Sequence, residues 1–149
     1  MKTIYTYGYG RDGSWAKLRE ALEKVDPEVP VFNVIDCRLT RTSRNTIFQG
    51  NNTTLASVFG FAYEWPHDDD TGKGILGNTG GPGAWKPPWS NRANAHVEAA
   101  AKAVHEGKTL VLMCCEKKPM VGTKRECHRV KVAEAVAALV PGGCEVVHL

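Results

Sequence analysis

The chain has 149 residues, the size of one ordinary domain, and its 42% apolar and 23% charged residues exclude intrinsic disorder of the whole. A net charge of +3 is too small to announce nucleic-acid binding by itself, and five cysteines, an odd number with two adjacent, argue against a disulfide framework and for a reducing cytosol. No stretch reaches the ~18 apolar residues of a membrane helix and the first residues lack the apolar core of a secretory leader, so a cytoplasmic protein without membrane contact is expected.

In chain order, Thr3 to Tyr7 predicts a short strand, and Ser14 caps a helix running to about Val25, with Trp15, Leu18, Leu22 and Val25 at helical spacing. Val31 to Cys37 is a continuous apolar run, as in a strand buried on both faces of a parallel sheet. Thr54 to Phe59 predicts a short helix and Phe61 to Trp65 a short strand. Six glycines and four prolines between Pro66 and Arg92 predict a long loop without regular elements, whose Trp85 and Trp89 favour packing on something. Asn94 to His105 is an Ala-rich helix, Thr109 to Met113 a strand, Val130 to Leu139 a helix ending before Pro141-Gly142-Gly143, and Cys144 to Leu149 the last strand. This alternation defines a single α/β domain over 1–149. Its sheet is mainly parallel and flanked by helices in a Rossmann-like three-layer arrangement.

In such sheets ligands lie beyond the carboxyl ends of the strands, which gives the segments after each strand first claim on function. Gly8-Tyr9-Gly10-Arg11-Asp12-Gly13 matches the dinucleotide fingerprint in letters, but its third glycine falls in a turn before the Ser14 cap rather than inside a helix. A plain glycine turn is therefore the better reading, and no cofactor is assigned. Asp36-Cys37-Arg38 leads into Arg41, Ser43 and Arg44, forks suited to phosphate or carboxylate. The alternative is that Asp36 and the run Asp68-Asp69-Asp70 neutralise these arginines, or that they are merely solvated.

Leu112-Met113-Cys114-Cys115-Glu116 ends the late strand, and Cys127-His128-Arg129 opens the following helix in a basic stretch. A thiol at a cationic helix start has a lowered pKa, which makes Cys127 a candidate nucleophile or metal ligand, against the bland reading of a small buried cysteine. Three stricter templates fail. Neither Cys114 nor Cys115 has an arginine six positions on, as a phosphatase loop requires; Met120 and Val121 stand there. His96-Val97-Glu98 lacks the P-C-x-x-C that completes a deaminase site. No pair of C-x-x-C knuckles exists, so no metal ligands are assigned, and an open mixed Cys/His site stays as an alternative.

Taken together, Thr6-Tyr7-Gly8-Tyr9, Ile35-Asp36-Cys37-Arg38, Ser43-Arg44 with Phe48, Leu76-Gly77, Leu112-Met113-Cys114-Cys115-Glu116-Lys117, Cys127-His128-Arg129 and Val147-His148 resemble domain of unknown function family 488 over nearly the whole chain. The most specific element is C-x-E-K followed by C-H-R. The resemblance implies a single α/β domain with these motifs gathered at one end of its sheet, and no established activity.

The residues themselves nominate one rim. Arg38, Ser43, Arg44 and Arg129, with Asp36, would bind the ligand; Cys114, Glu116, Cys127 and His128 would act as nucleophile, acid or base. The leading expectation is a domain that binds or acts on a phosphate-bearing ligand, most readily a nucleotide or nucleic acid. A non-catalytic nucleic-acid or protein adaptor whose tryptophans stack on bases is the second reading, and a Cys/His metal or redox site the third.

Overall fold

A computed structural model describes residues 2–28, 32–77, 91–123 and 127–149. Strand β1 (Lys2–Gly8) leads to helix α1 (Trp15–Val25) and strand β2 (Phe32–Asp36). Two 3-10 helices, Thr46–Phe48 and Gly50–Phe59, precede β3 (Phe61–Glu64) and the short pair β4 (His67–Asp68) and β5 (Lys73–Gly74). Helix α2 (Asn91–His105), strand β6 (Leu110–Cys114), helix α3 (His128–Leu139) and strand β7 (Cys144–His148) follow. Five strands form one parallel sheet in the order β3-β2-β6-β1-β7.

Strand alternation divides the core into two layers, because successive side chains leave opposite faces of a pleated strand. Tyr5 and Tyr7 of β1, Val34 of β2 and Val111 and Met113 of β6 pack with Trp15, Leu18 and Leu22 of α1 and with Phe48 and Ala56 of the 3-10 segment. Ile4, Ile35, Leu110 and Leu112 face the other way, onto Val97, Ala100, Ala101 and Val104 of α2 and Val132, Ala133 and Val136 of α3. Helices thus cover both faces, and the central strands are apolar on both, as parallel sheets require. The alanines of α2 leave room for it to pack against α3. The Ser14 hydroxyl accepts from the Lys17 N–H at 3.0 Å, capping α1 where the sequence predicts it.

Several boundaries differ from the sequence expectation, among them the start of α2, which is Asn91 and not Asn94. The segment after Pro66 is not wholly irregular, since β4 and β5 pair antiparallel, with His67 opposite Gly74 and Asp68 opposite Lys73. The Asp and Gly residues that suggested a loop build the turn of this hairpin: the Asp68 carboxylate accepts from the Asp70 N–H, and Gly72 takes a φ of 66°. Trp85 and Trp89 lie outside the described residues. The helix expected at Thr54–Phe59 starts earlier, at Gly50, and is of the tighter 3-10 kind. Helix α3 begins two residues before Val130, so Cys127 is its N-cap. Among the described residues no helix is long and apolar enough to cross a membrane.

Candidate functional site

The carboxyl ends of β1, β2 and β6 are neighbours, and backbone hydrogen bonds tie the loops that leave them. Tyr9 N–H donates to the Cys114 carbonyl, Gly10 N–H to the Cys115 carbonyl, and Cys37 N–H to the Met113 carbonyl. Parallel pairing therefore sets the glycine turn, the D-C-R segment and the C-C-E segment side by side.

Beyond β2, Asp36 and Arg38 form a buried two-pronged ion pair. Arg38 Nε lies 3.0 Å from both carboxylate oxygens and Nη2 2.7 Å from Oδ2, while the Arg38 backbone N–H donates to Oδ1 at 3.0 Å. Its remaining nitrogen, Nη1, donates to the Tyr9 hydroxyl at 3.0 Å and to the Phe48 carbonyl at 2.8 Å. Tyr63 donates its hydroxyl to Asp36 Oδ2. Burial opposes the charge of Arg38, but the hydrogen bonds and field of Asp36 prevail and raise its pKa. Burial also raises Tyr63, and the adjacent Asp36 charge raises it further. The Tyr9 phenol, raised mainly by burial, hydrogen-bonds Ser43 as well, which brings Ser43 to this network. Asn45 completes it, donating to the Gly13 carbonyl at 2.9 Å and accepting from Ile47 N–H.

At the start of α3, Arg129 is fully buried. Its Nη1 donates to the Glu116 carbonyl and to Cys127 Sγ at 3.1 Å, Nη2 to the Lys117 carbonyl at 3.3 Å, and Nε to Thr6 Oγ1 at 3.3 Å. Thr6 is in turn 2.6 Å from His148 Nδ1, which links the chain's last strand to this arginine. Among the described residues no carboxylate lies within ion-pair distance of Arg129. The group of its shell best able to carry a negative charge is the Cys127 sulfur. The clamp passes directly over Gly8, where a β-carbon would stand 1.6 Å from the Glu116 carbonyl oxygen and 2.7 Å from Arg129 Nη1.

Three thiols meet here. Cys114 and Cys127 are buried and in contact with Val130, whereas Cys115 is exposed. Cys114 precedes Cys115 in the chain and packs against Cys127, and its own pKa is raised well above the ordinary thiol value by interaction with those two thiols and by burial. A thiol has one S–H, so Cys114 can donate to only one neighbour at a time. That donated hydrogen bond lowers Cys127, helped by the Arg129 cation. Donated instead to Cys115, it brings that thiol down to about 7, against burial and the Glu116 charge and with a favourable field from Arg38. Cys37 is fully buried and held high by desolvation. His128, half-buried at the first turn of α3, is shifted down by burial and so favours the neutral imidazole.

Asp36, Arg38, Ser43, Cys114, Glu116, Cys127, His128 and Arg129 thus come to one rim, while Arg44 stands exposed on the loop beside Ser43. Their roles differ from the sequence expectation. Asp36, Arg38 and Arg129 point inward, engaged by protein partners, rather than outward as ligand forks. Cys127, expected as the accessible nucleophile, is 1% exposed, and the accessible thiol is its neighbour Cys115. Cys115, Tyr9, Tyr63 and Asn45 were not singled out by sequence. Cys115 had a signal: it follows Cys114, the last residue of a buried strand, and so lies just beyond the covered sheet. Gly13 precedes the Ser14 cap, so the third glycine of the fingerprint-like run is outside the helix. Among the described residues no group of three or more His, Cys, Asp or Glu side chains is arranged to hold a metal ion. No family model, curated protein or solved structure matches this chain.

Proposed function

We propose that this rim is a thiol site in which Cys115 is the nucleophile and Cys114 and Arg38 favour its charged form, acting on a small electrophile. One observation carries the reading: an exposed thiol, Cys115, directly follows buried Cys114 at the carboxyl end of β6, and two buried guanidinium groups, those of Arg38 and Arg129, stand at the same rim. Hydrogen bonds and positive field favour the charged form of a thiol, and the thiolate is the nucleophile. The inward guanidinium groups act here as fixed cations, held by protein so that they polarise the site without needing a ligand. Membership of domain of unknown function family 488 is part of this proposal and rests on the motifs that line the rim.

The test is the pH profile of alkylation by iodoacetamide. Because the group is an acid whose pKa is lowered, its thiolate fraction rises with pH, and the fast phase should reach half its maximum near pH 7. Cys115→Ser should remove that phase and leave a slow one from the buried thiols and from half-buried Cys144, whose pKa is raised by burial. A fast phase that survives Cys115→Ser, or one with its midpoint near the ordinary thiol value of about 8.5, would remove the basis for the reading.

A second reading, a phosphate-bearing ligand such as a nucleotide or nucleic acid, is favoured by a different observation. An open groove of about 580 Å³ is lined by Thr40, Arg41, Thr42, Gln49, Trp65 and His67. In it Arg41 stands 4.6 Å above the Trp65 ring, and Trp65 is fixed by a 2.9 Å hydrogen bond from its indole N–H to the Arg38 carbonyl. A guanidinium held over an aromatic ring suits a phosphate, and exposed Arg44 lies three residues further along the same loop. Arg41→Ala and Arg44→Ala should each weaken ADP binding by about fivefold, the scale of an exposed charge contact, and added salt should weaken it further. Affinity insensitive to both variants and to salt would dismiss this reading.

A further inference from the structure

We propose that the thiol site reacts with hydroperoxides, with Cys115 as the residue oxidised, Cys114 as the relay, and a Cys114–Cys127 disulfide as the end product. The inference rests on the thiol reading above and names its substrate class. Its basis is the order of the three sulfurs. Cys115 is the exposed member, Cys114 is its buried chain neighbour, and Cys127 is buried in contact with Cys114 and Val130. An oxidant arriving from solvent meets Cys115 first, and Cys114 is placed to carry the oxidation inward to Cys127. Substrates that need a shaped pocket are a poorer match for a thiol on a loop at a strand end than a small oxidant that reacts by direct collision.

The steps balance. The Cys115 thiolate attacks one peroxide oxygen, the O–O bond breaks, and the departing alkoxide takes a proton from water, leaving Cys115 as sulfenic acid and releasing an alcohol, or water when the oxidant is hydrogen peroxide. The Cys114 thiol then attacks the Cys115 sulfur, hydroxide leaves with the Cys114 proton as water, and a Cys114–Cys115 disulfide forms. Cys127, whose charged form Arg129 favours, gives its proton to the hydroxide left by the first step, attacks the Cys114 sulfur and expels Cys115 as thiolate. That exchange runs forward for two reasons. Cys115 is a good leaving group because its thiolate is stabilised, and a disulfide between adjacent residues is a strained ring that the Cys114–Cys127 bond relieves. The sum is two thiols and one hydroperoxide giving one disulfide, one alcohol and one water.

The experiment uses the whole reduced protein treated with equimolar hydrogen peroxide, followed by blocking of free thiols and peptide mapping without reductant. The expected product is a Cys114–Cys127 disulfide with Cys115 blocked as a free thiol, one peroxide consumed per disulfide. Cys115→Ser should slow peroxide consumption by at least about tenfold, since the thiols that remain are buried or, in half-buried Cys144, held in the neutral form by a raised pKa. Cys127→Ser should stop the sequence at Cys115, as a sulfenic acid trapped by dimedone or as the Cys114–Cys115 disulfide. The wild-type map decides the matter even if that variant folds poorly. If Cys115 alkylates quickly near pH 7 but peroxide yields only Cys115 sulfinic acid and no Cys114–Cys127 bond, this inference is overturned and the thiol reading stands. If Cys115 is slow toward both reagents, both are overturned.

Discussion

Asp36→Asn is expected to destabilise the protein by about 3–5 kcal/mol, the range for leaving one member of a buried ion pair without its partner. Asparagine keeps the shape of the side chain but removes the charge that faces Arg38, whose guanidinium is 3% exposed while the carboxylate is fully buried. The guanidinium cannot lose its proton to escape, and its remaining acceptors, the Tyr9 hydroxyl and the Phe48 carbonyl, are neutral. Replacing both residues, Asp36→Asn with Arg38→Met, should recover a large part of the loss, because no buried charge is then left over. The exposed Arg19–Glu23 pair on α1 is the contrast: with side chains 26% and 52% exposed, Glu23→Gln should cost no more than about 0.5 kcal/mol. Urea unfolding of the four proteins checks the ordering. A cost below about 1 kcal/mol for Asp36→Asn would mean that water reaches the pair and that it is not the fixed cation required by the rim.

Gly8→Ala is expected to cost about 3 kcal/mol or more, at the upper end for overpacking. The atoms that a β-carbon would meet cannot step aside cheaply: the Glu116 carbonyl is backbone, and the nearby Arg129 Nη1 is anchored by its own hydrogen bonds. Relief would require the 115–117 backbone to move away from β1, breaking the Gly10 N–H to Cys115 carbonyl bond of 3.0 Å and carrying the Cys115 thiol with it. The variant should therefore lose both stability and the fast alkylation phase. Gly107→Ala makes the control, because that glycine has a φ of 95° but open space around it. Strain without collision should cost about 1 kcal/mol and leave Cys115 reactivity unchanged. Denaturant melts and alkylation rates for both variants separate the two cases; equal losses would show that Gly8 is required for its backbone freedom and not for the close approach.

Much of the fold was legible in the chain order because it depends on near neighbours. The spacing of Trp15, Leu18 and Leu22 marks a buried helix stripe, Ser14 marks its start, and the continuous apolar runs at β2 and β6 mark strands covered on both faces. Alternation of strands and helices was sufficient to infer a parallel sheet, and the general rule for such sheets pointed to the segments after β1, β2 and β6. The β4–β5 hairpin was missed because the same Asp and Gly residues serve open loops and tight turns equally well.

The sequence by itself determined the α/β architecture and which motifs share a rim, since periodicity, capping and strand order are local properties of the chain. Only the tertiary structure decided what each motif does there. Whether an arginine reaches out to a ligand or turns inward depends on partners far along the chain: Tyr9 for Arg38, and Thr6 for Arg129. Which cysteine is accessible likewise depends on how α3 closes over β6, burying Cys114 and Cys127 together and leaving Cys115 at the surface. Burial and hydrogen-bond partnership are sums over contacts between distant segments, and they set thiol charge and arginine orientation alike, so neither could be read from spacing alone.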